Sequence, residues 1–260
     1  MRKISITRPI RKLRRKVVNR FSGAGIINYK NQGRINFIDV GSLGNLPEPW
    51  LSNSKYIHNL LSFEPLESAK TNKNIIVSSN ALWSEKCVKS FYIYKGFKSS
   101  GSSLYEQNFE YVNNNFNSLK EIGPKYLADS WHVRSELLKV TDIECETLDN
   151  TLDDLNLPIK FDFIKIDAQG AEYEILNGAV NFLQNSCIGL QLELFNIPLY
   201  KGIRLLPEVI GFLSELGFGM VKKLDYHGTF NSQNDCIFIK KNIPEEKKEI
   251  EQLLKHIYQI

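Results

Sequence analysis

No stretch of this 260-residue chain comes near the roughly 18 consecutive apolar residues that a membrane-spanning helix needs. Cysteine is sparse: Cys87, Cys145, Cys187 and Cys236 are spread widely along the chain. That spacing suits neither a zinc site nor a dense disulfide scaffold, so reduced thiols in a cytoplasmic protein are expected. The N-terminus is basic but lacks the apolar run and small-residue cleavage site of a secretory signal, and none is expected. No internal repeat is evident. Apolar residues, by contrast, make up 42% of the chain and aromatic ones 11%, enough to bury a core and to exclude wholesale disorder. The length suits one domain with additions, or two small ones.

Acids are missing altogether from residues 1–20, which hold nine of the 33 Lys and Arg. The rest of the chain therefore carries 24 basic residues against 29 acidic ones. A net charge of +4 thus describes a mildly acidic body with a basic arm, which disfavours a nucleic-acid binder with charge spread over its surface. Within the arm, Ile10, Leu13, Val17 and Phe21 follow Pro9 at spacings of three or four, the pattern of a cationic amphipathic helix. Such a helix either caps the core or lies on anionic lipid, where it meets a lipid-linked substrate. The organisation expected is a basic helix and linker over 1–30, a main domain over 31–242 and a C-terminal amphipathic helix over 243–260.

Short apolar runs alternate with amphipathic stretches through the main domain. Strands are expected at 35–40, 60–64, 74–78, 161–167 and 188–194, with a less regular one at 90–94 and a closing antiparallel pair at 220–224 and 236–240. Helices are expected at 171–183, at 206–216 before Gly217, and from Pro244 onward. The result is an α/β fold: a doubly wound, mostly parallel sheet covered on both faces, with a terminal antiparallel strand pair. Residues 96–139, rich in Ser, Asn and Gly, read as a flexible insertion, either a lid or a surface loop. They contain Trp131, His132 and Arg134, candidates for contact with a polar substrate.

In an open α/β sheet, ligands bind beyond the carboxyl ends of the strands. The first strand leaves through Asp39-Val40-Gly41-Ser42-Leu43-Gly44, where glycines permit a tight turn and close approach of a ligand. Glu64, followed by Pro65, ends the second strand, where a carboxylate can accept hydrogen bonds from both hydroxyls of a ribose. Together these two features indicate an adenosine-containing ligand, with Asn80, Ala81 and Leu82 near its base. The densest signal is the segment from Asp162 to Glu172, DFIKIDAQGAE, a strand ending in an acid, then a glycine turn, then a helix. Asp167 is expected at the pocket mouth as a base or orienting group. Glu172 reads either as a participant or as an acid complementing the helix dipole. Glu193 ends the next strand and is placed to pair with Asp167; the spacing demands no metal.

These residues resemble the FkbM-type methyltransferases, which use S-adenosylmethionine. The likeness rests on Phe37-Ile38-Asp39-Val40-Gly41, on Phe63-Glu64-Pro65 and above all on the Asp162–Glu172 segment, and it extends over roughly residues 35–240. It implies a Rossmann-like class I methyltransferase fold and transfer of a methyl group to a hydroxyl of a sugar, glycan or natural product. It also implies that Asp39, Gly41 and Gly44 hold the methionine portion, Glu64 the ribose, and that Asp167 lies beside the methyl group. Relatives often carry Ala-Asn where this chain has Ser42-Leu43, and Pro47 and Pro49 suggest a delayed helix start here. Two other readings stay open. One is a non-catalytic binding module on the same fold, and the other a nicotinamide-dependent dehydrogenase, for which the glycine pattern falls short and Gly96 interrupts the Tyr94/Lys98 pair.

Overall fold

The computed structural model describes residues 34–41 and 46–260. The basic helix expected at the N-terminus, and the expected ligands Ser42 and Gly44, lie outside the described residues.

The strands are β1 (Ile35–Val40), β2 (Ile57–Phe63), β3 (Lys70–Asn72), β4 (Ile75–Ser78), β5 (Ala81–Leu82), β6 (Cys87–Tyr94), β7 (Leu137–Glu146), β8 (Phe163–Ile166), β9 (Gly189–Phe195), β10 (Phe218–Lys223) and β11 (Gln233–Lys240). The helices are α1 (Phe109–Leu119), α2 (Lys125–Asp129), α3 (Trp131–Arg134), α4 (Leu148–Leu155), α5 (Glu172–Asn177), α6 (Val180–Asn185), α7 (Leu206–Glu215) and α8 (Lys248–Tyr258). Eight strands form one sheet in the order β10-β11-β9-β8-β1-β2-β4-β3. Its centre, from β4 through β2, β1 and β8 to β9, is parallel, and β10 and β11 close it as the expected antiparallel pair. The chain first builds outward from β1 through β2 to β4, then returns to β1's other side with β8. Adjacent connections diverge at that point, and a crevice opens beyond the strand ends.

Strand alternation divides the core in two. Ile38, Val40, Leu61, Phe63, Ile164, Ile166, Leu190 and Leu192 face α5, α6 and α7. Ile35, Phe37, Phe163, Ile237 and Ile239 face Trp50 and the apolar side of α8, formed by Ile250, Leu254 and Ile257. Trp50 Nε1 donates to the Tyr258 hydroxyl (2.7 Å), which donates to Gln191 Oε1 (2.7 Å), so α8 is pinned to the sheet by a buried polar chain as well as by apolar contact.

Four local expectations need correction. The single helix expected at 171–183 is two helices: Gly178 lies so close to the Trp83 carbonyl that a Cβ would come within 2.1 Å of it, and Asp149 caps the restart by accepting from the Asn181 and Phe182 N–H groups. No α-helix follows Pro47 and Pro49; turns and a 3-10 turn at Ser54–Tyr56 lead directly into β2. The strand expected at 90–94 stands outside the main sheet: β6 pairs antiparallel with β7 and is an edge of a separate three-stranded sheet in the order β5-β7-β6. Residues 96–139, finally, are largely ordered structure. Phe109, Val112, Phe116 and Leu119 recur at helical spacing, Asn108 caps α1 by accepting from Tyr111 N, and the Asn113–Asn115 run that suggested a loop belongs to α1.

Candidate functional site

Two cavities meet at the carboxyl end of the parallel strands. The first lies at the divergence between β1 and β8. Gly41, Glu64, Pro65, Asn80, Ala81, Leu82 and Asp167 all line it, and so do Phe91, Leu104 and Ile175. Gly41 is in the left-handed region (φ +79), and a Cβ there would come within 1.9 Å of the Asp167 carbonyl oxygen. The absence of a side chain is what lets β1 and β8 open together onto the cavity.

Glu64 is buried, and its Oε1 accepts the Leu66 N–H at 3.0 Å. Burial pushes its pKa up, partly offset by that hydrogen bond. A carboxylate kept in an apolar wall with acceptor capacity left over is chemically suited to a diol. Asp39, by contrast, does not line the cavity. Register sets it directly opposite Lys165, and the two buried side chains form an ion pair at 3.7 Å under the floor. Expected as a direct ligand contact, Asp39 is turned by the alternation along β1 to the face opposite Val40, toward Lys165.

The second cavity is more polar. Its walls include Gln107, Trp131, Arg134, Glu193, Tyr200, His227 and Thr229, and it shares Ser100, Gly101 and Gln169 with the first. Trp131 is almost fully buried and acts as a wall rather than an exposed stacking platform, its ring 5.1 Å from that of Phe109. Arg134 Nη2 donates to the Leu127 carbonyl and the Thr229 hydroxyl at 2.8 and 2.7 Å. His132 lines neither cavity; it is exposed, and its ring packs edge-on against Trp131 at 4.9 Å and tilted against Phe116 at 5.4 Å.

Between the cavities lies a knot of side chains that sequence reading only half resolved. Gln169, in the left-handed region at φ +52, donates from Nε2 to Asp167 Oδ1 (2.9 Å) and to Glu193 Oε2 (2.7 Å). Its carbonyl accepts from Ser103 Oγ (2.8 Å), and its Oε1 lies 3.1 Å from the Tyr200 hydroxyl. Gln233 Nε2 also donates to Glu193. Asp167 and Glu193 therefore do come together. Burial raises both, but Lys165 at 3.4 Å and the Gln169 hydrogen bond hold Asp167 below the usual carboxylate range. Burial and the charge of Asp167 push Glu193 well above it. Of the two, Glu193 is the one that holds a proton more readily and Asp167 the one that ionises first. On the far side, His227 Nδ1 is 3.8 Å from Glu193 Oε1 and its Nε2 3.3 Å from Asp235 Oδ2, which raises the imidazole's pKa.

Glu172 is not in this knot and lines neither cavity. Its two oxygens accept the Ala168 and Gly170 N–H groups at 2.8 and 2.9 Å, clamping the turn that carries Gln169. Expected as a participant in the reaction or as a helix-dipole partner, the carboxylate has both oxygens engaged by this turn. Burial pushes its pKa to about 8, against these backbone bonds. Below the ordinary Glu value of about 4.3 both folded and unfolded chains hold the proton. Between there and about 8 only the folded chain does, so this group makes stability fall as pH rises through that window. Glu172→Gln is expected to flatten a slope that approaches about 1.4 kcal/mol per pH unit. Urea midpoints measured across the window test this; parallel slopes in both proteins would refute it.

Comparison with known proteins gives one family match: the profile described as a methyltransferase FkbM domain fits residues 44–220. Curated proteins gave no match. Among solved structures, the chain is similar to a methyltransferase FkbM from Methylobacillus flagellatus KT, at 10% identity and TM-score 0.41, over 84% of this chain and 46% of that one. It thus spans less than half that protein's length. It is also similar to magnesium protoporphyrin IX methyltransferase from Synechocystis PCC 6803 with bound SAM, at 10% identity and TM-score 0.36, over 93% and 86% of the two chains.

Proposed function

This chain belongs to the FkbM methyltransferase family, and on that premise we propose that it transfers a methyl group from S-adenosylmethionine to a hydroxyl of a sugar, glycan or natural product. The observation that carries the reading is the meeting of two cavities at Gln169: one mostly apolar with a buried carboxylate, one polar and walled by Glu193, Arg134 and His227. The residues present fit the cofactor. Gly41 leaves a cradle that any Cβ would fill, and Glu64 offers acceptor capacity inside an apolar wall.

When bound, S-adenosylmethionine supplies a methyl carbon already activated by its sulfonium leaving group. Glu64 would hold the ribose hydroxyls, Ala81 and Leu82 the base, and Gly41 the backbone approach. The protein's contribution is chiefly alignment, which can amount to about 7–11 kcal/mol for well-oriented reactants. Asp167, ionised at the rim, orients the acceptor hydroxyl and takes its proton. Glu193, which holds a proton more readily than its neighbour, steadies that carboxylate. Gln169, gripped by Ser103 and Tyr200, fixes the two acids relative to each other. The body works in the cytoplasm, with the basic segment 1–20 contacting anionic membrane or a lipid-linked acceptor. Among the described residues no helix is long and apolar enough to cross a membrane.

Calorimetry with S-adenosylmethionine and its demethylated product tests the reading. Glu64→Ala removes hydrogen bonds to a charged group worth about 1.5–3 kcal/mol each but also relieves a buried carboxylate, so affinity is expected to fall by about 100-fold. Failure of the folded wild-type chain to bind either compound would overturn the assignment in favour of a non-catalytic binding module.

A further inference from the structure

Cys87 and Cys145 are 58 positions apart in sequence, but they sit directly opposite each other in the antiparallel β6–β7 ladder. Both are free thiols, Cys87 half-buried and Cys145 buried. Directly opposed residues of an antiparallel pair have Cα atoms about 4.5–5.5 Å apart, within the roughly 4.4–6.8 Å that a disulfide spans. Side chains at such positions share a face, which places both thiols on one side of the ladder. The other two cysteines, Cys187 and Cys236, are fully buried in the main sheet's core and have no such neighbour in register.

From this juxtaposition we infer that Cys87 and Cys145 form a reversible cross-strand disulfide. The oxidant is a low-molecular-weight disulfide such as glutathione disulfide. Cys87, the more accessible thiol, attacks one of its sulfurs as the thiolate; the glutathione S–S bond breaks and one glutathione thiol leaves. Cys145, whose pKa burial raises to about 12, then loses its proton to solvent and attacks the Cys87 sulfur, releasing the second glutathione. Two protein thiols are oxidised, and one glutathione disulfide is reduced to two thiols. The link lies one strand from the first cavity: Ala81, which lines it, pairs with Cys145, and the Trp83 N–H donates to the Glu146 carbonyl. Redox state thereby sets how firmly β7 holds that wall.

The test is incubation of the whole chain with glutathione disulfide at neutral pH, followed by intact mass, peptide mapping and amide exchange. The expected result is loss of two hydrogens, a peptide linking Cys87 to Cys145, reversal by dithiothreitol, and slower exchange of the Trp83 amide in the oxidised form. Cys87→Ser, a change at a half-buried site, should abolish the link while leaving the thermal midpoint of the reduced protein nearly unchanged. Glutathione adducts alone, a link through Cys187 or Cys236, or thiols that oxidise only after unfolding in urea would overturn the assignment. Equal Trp83 exchange in both forms would overturn the connection to the cavity wall.

Discussion

Turnover of Asp167→Asn is expected to fall by about 10²–10⁴-fold while cofactor binding persists. Asn keeps an oxygen for the Gln169 Nε2 hydrogen bond, so the turn should hold its shape, but it cannot receive a proton. Glu193 loses the charge of Asp167 in this variant but keeps the burial that is the first cause of its raised pKa, so it makes a poor replacement base. Lys165 retains Asp39 as a partner, which limits the structural damage. Release of S-adenosylhomocysteine over a panel of hydroxyl acceptors, measured beside calorimetry, separates the outcomes. Full turnover with intact binding would remove Asp167 from the reaction. Loss of both would make it a binding residue.

Gly41→Ala should be the most damaging single methyl group in the molecule. Left-handed backbone costs a non-glycine residue about 1–3 kcal/mol. Here the added Cβ also meets the Asp167 carbonyl oxygen at 1.9 Å, where only backbone can yield. Either β1 loses the bond from Gly41 N to the Phe63 carbonyl (3.0 Å), or the β8 exit moves away. A destabilisation of at least about 3 kcal/mol is expected, together with loss of cofactor affinity, because both exits line the same cavity. Urea unfolding within experimental error of wild type would show that the turn is more pliant than its contacts indicate.

The parallel centre of the sheet was legible because buried parallel strands read as apolar runs, and Ile35–Val40 and Phe163–Ile166 are such runs. Glu64 and Asp167 stood out as acids because they end the apolar runs of β2 and β8. Gln169 was not: its importance comes from a positive φ and from Ser103, Glu193 and Tyr200, partners contributed by distant segments that leave no local trace. The surroundings of Asp39 and Glu172 were illegible for related reasons. An acid at a strand end looks alike whether it faces a ligand or a buried lysine, and an acid in a first helical turn looks alike whether it meets solvent or clamps a loop. The helices between 109 and 134 were masked by composition, since an Asn run reads as loop although α1 accommodates it.

The stretch between β6 and β7 has a thermodynamic consequence. Ser102 and Leu104 from its beginning wall the first cavity, Trp131 and Arg134 from its end wall the second, and Ser100 and Gly101 belong to both. Two ligands seated against one continuous piece of chain form a single linked system. Whatever factor the first gains in affinity from the second's presence, the second gains from the first. Cofactor affinity measured alone and cofactor affinity measured with acceptor present are therefore two different constants, and their ratio reports how far the shared wall is ordered by each guest.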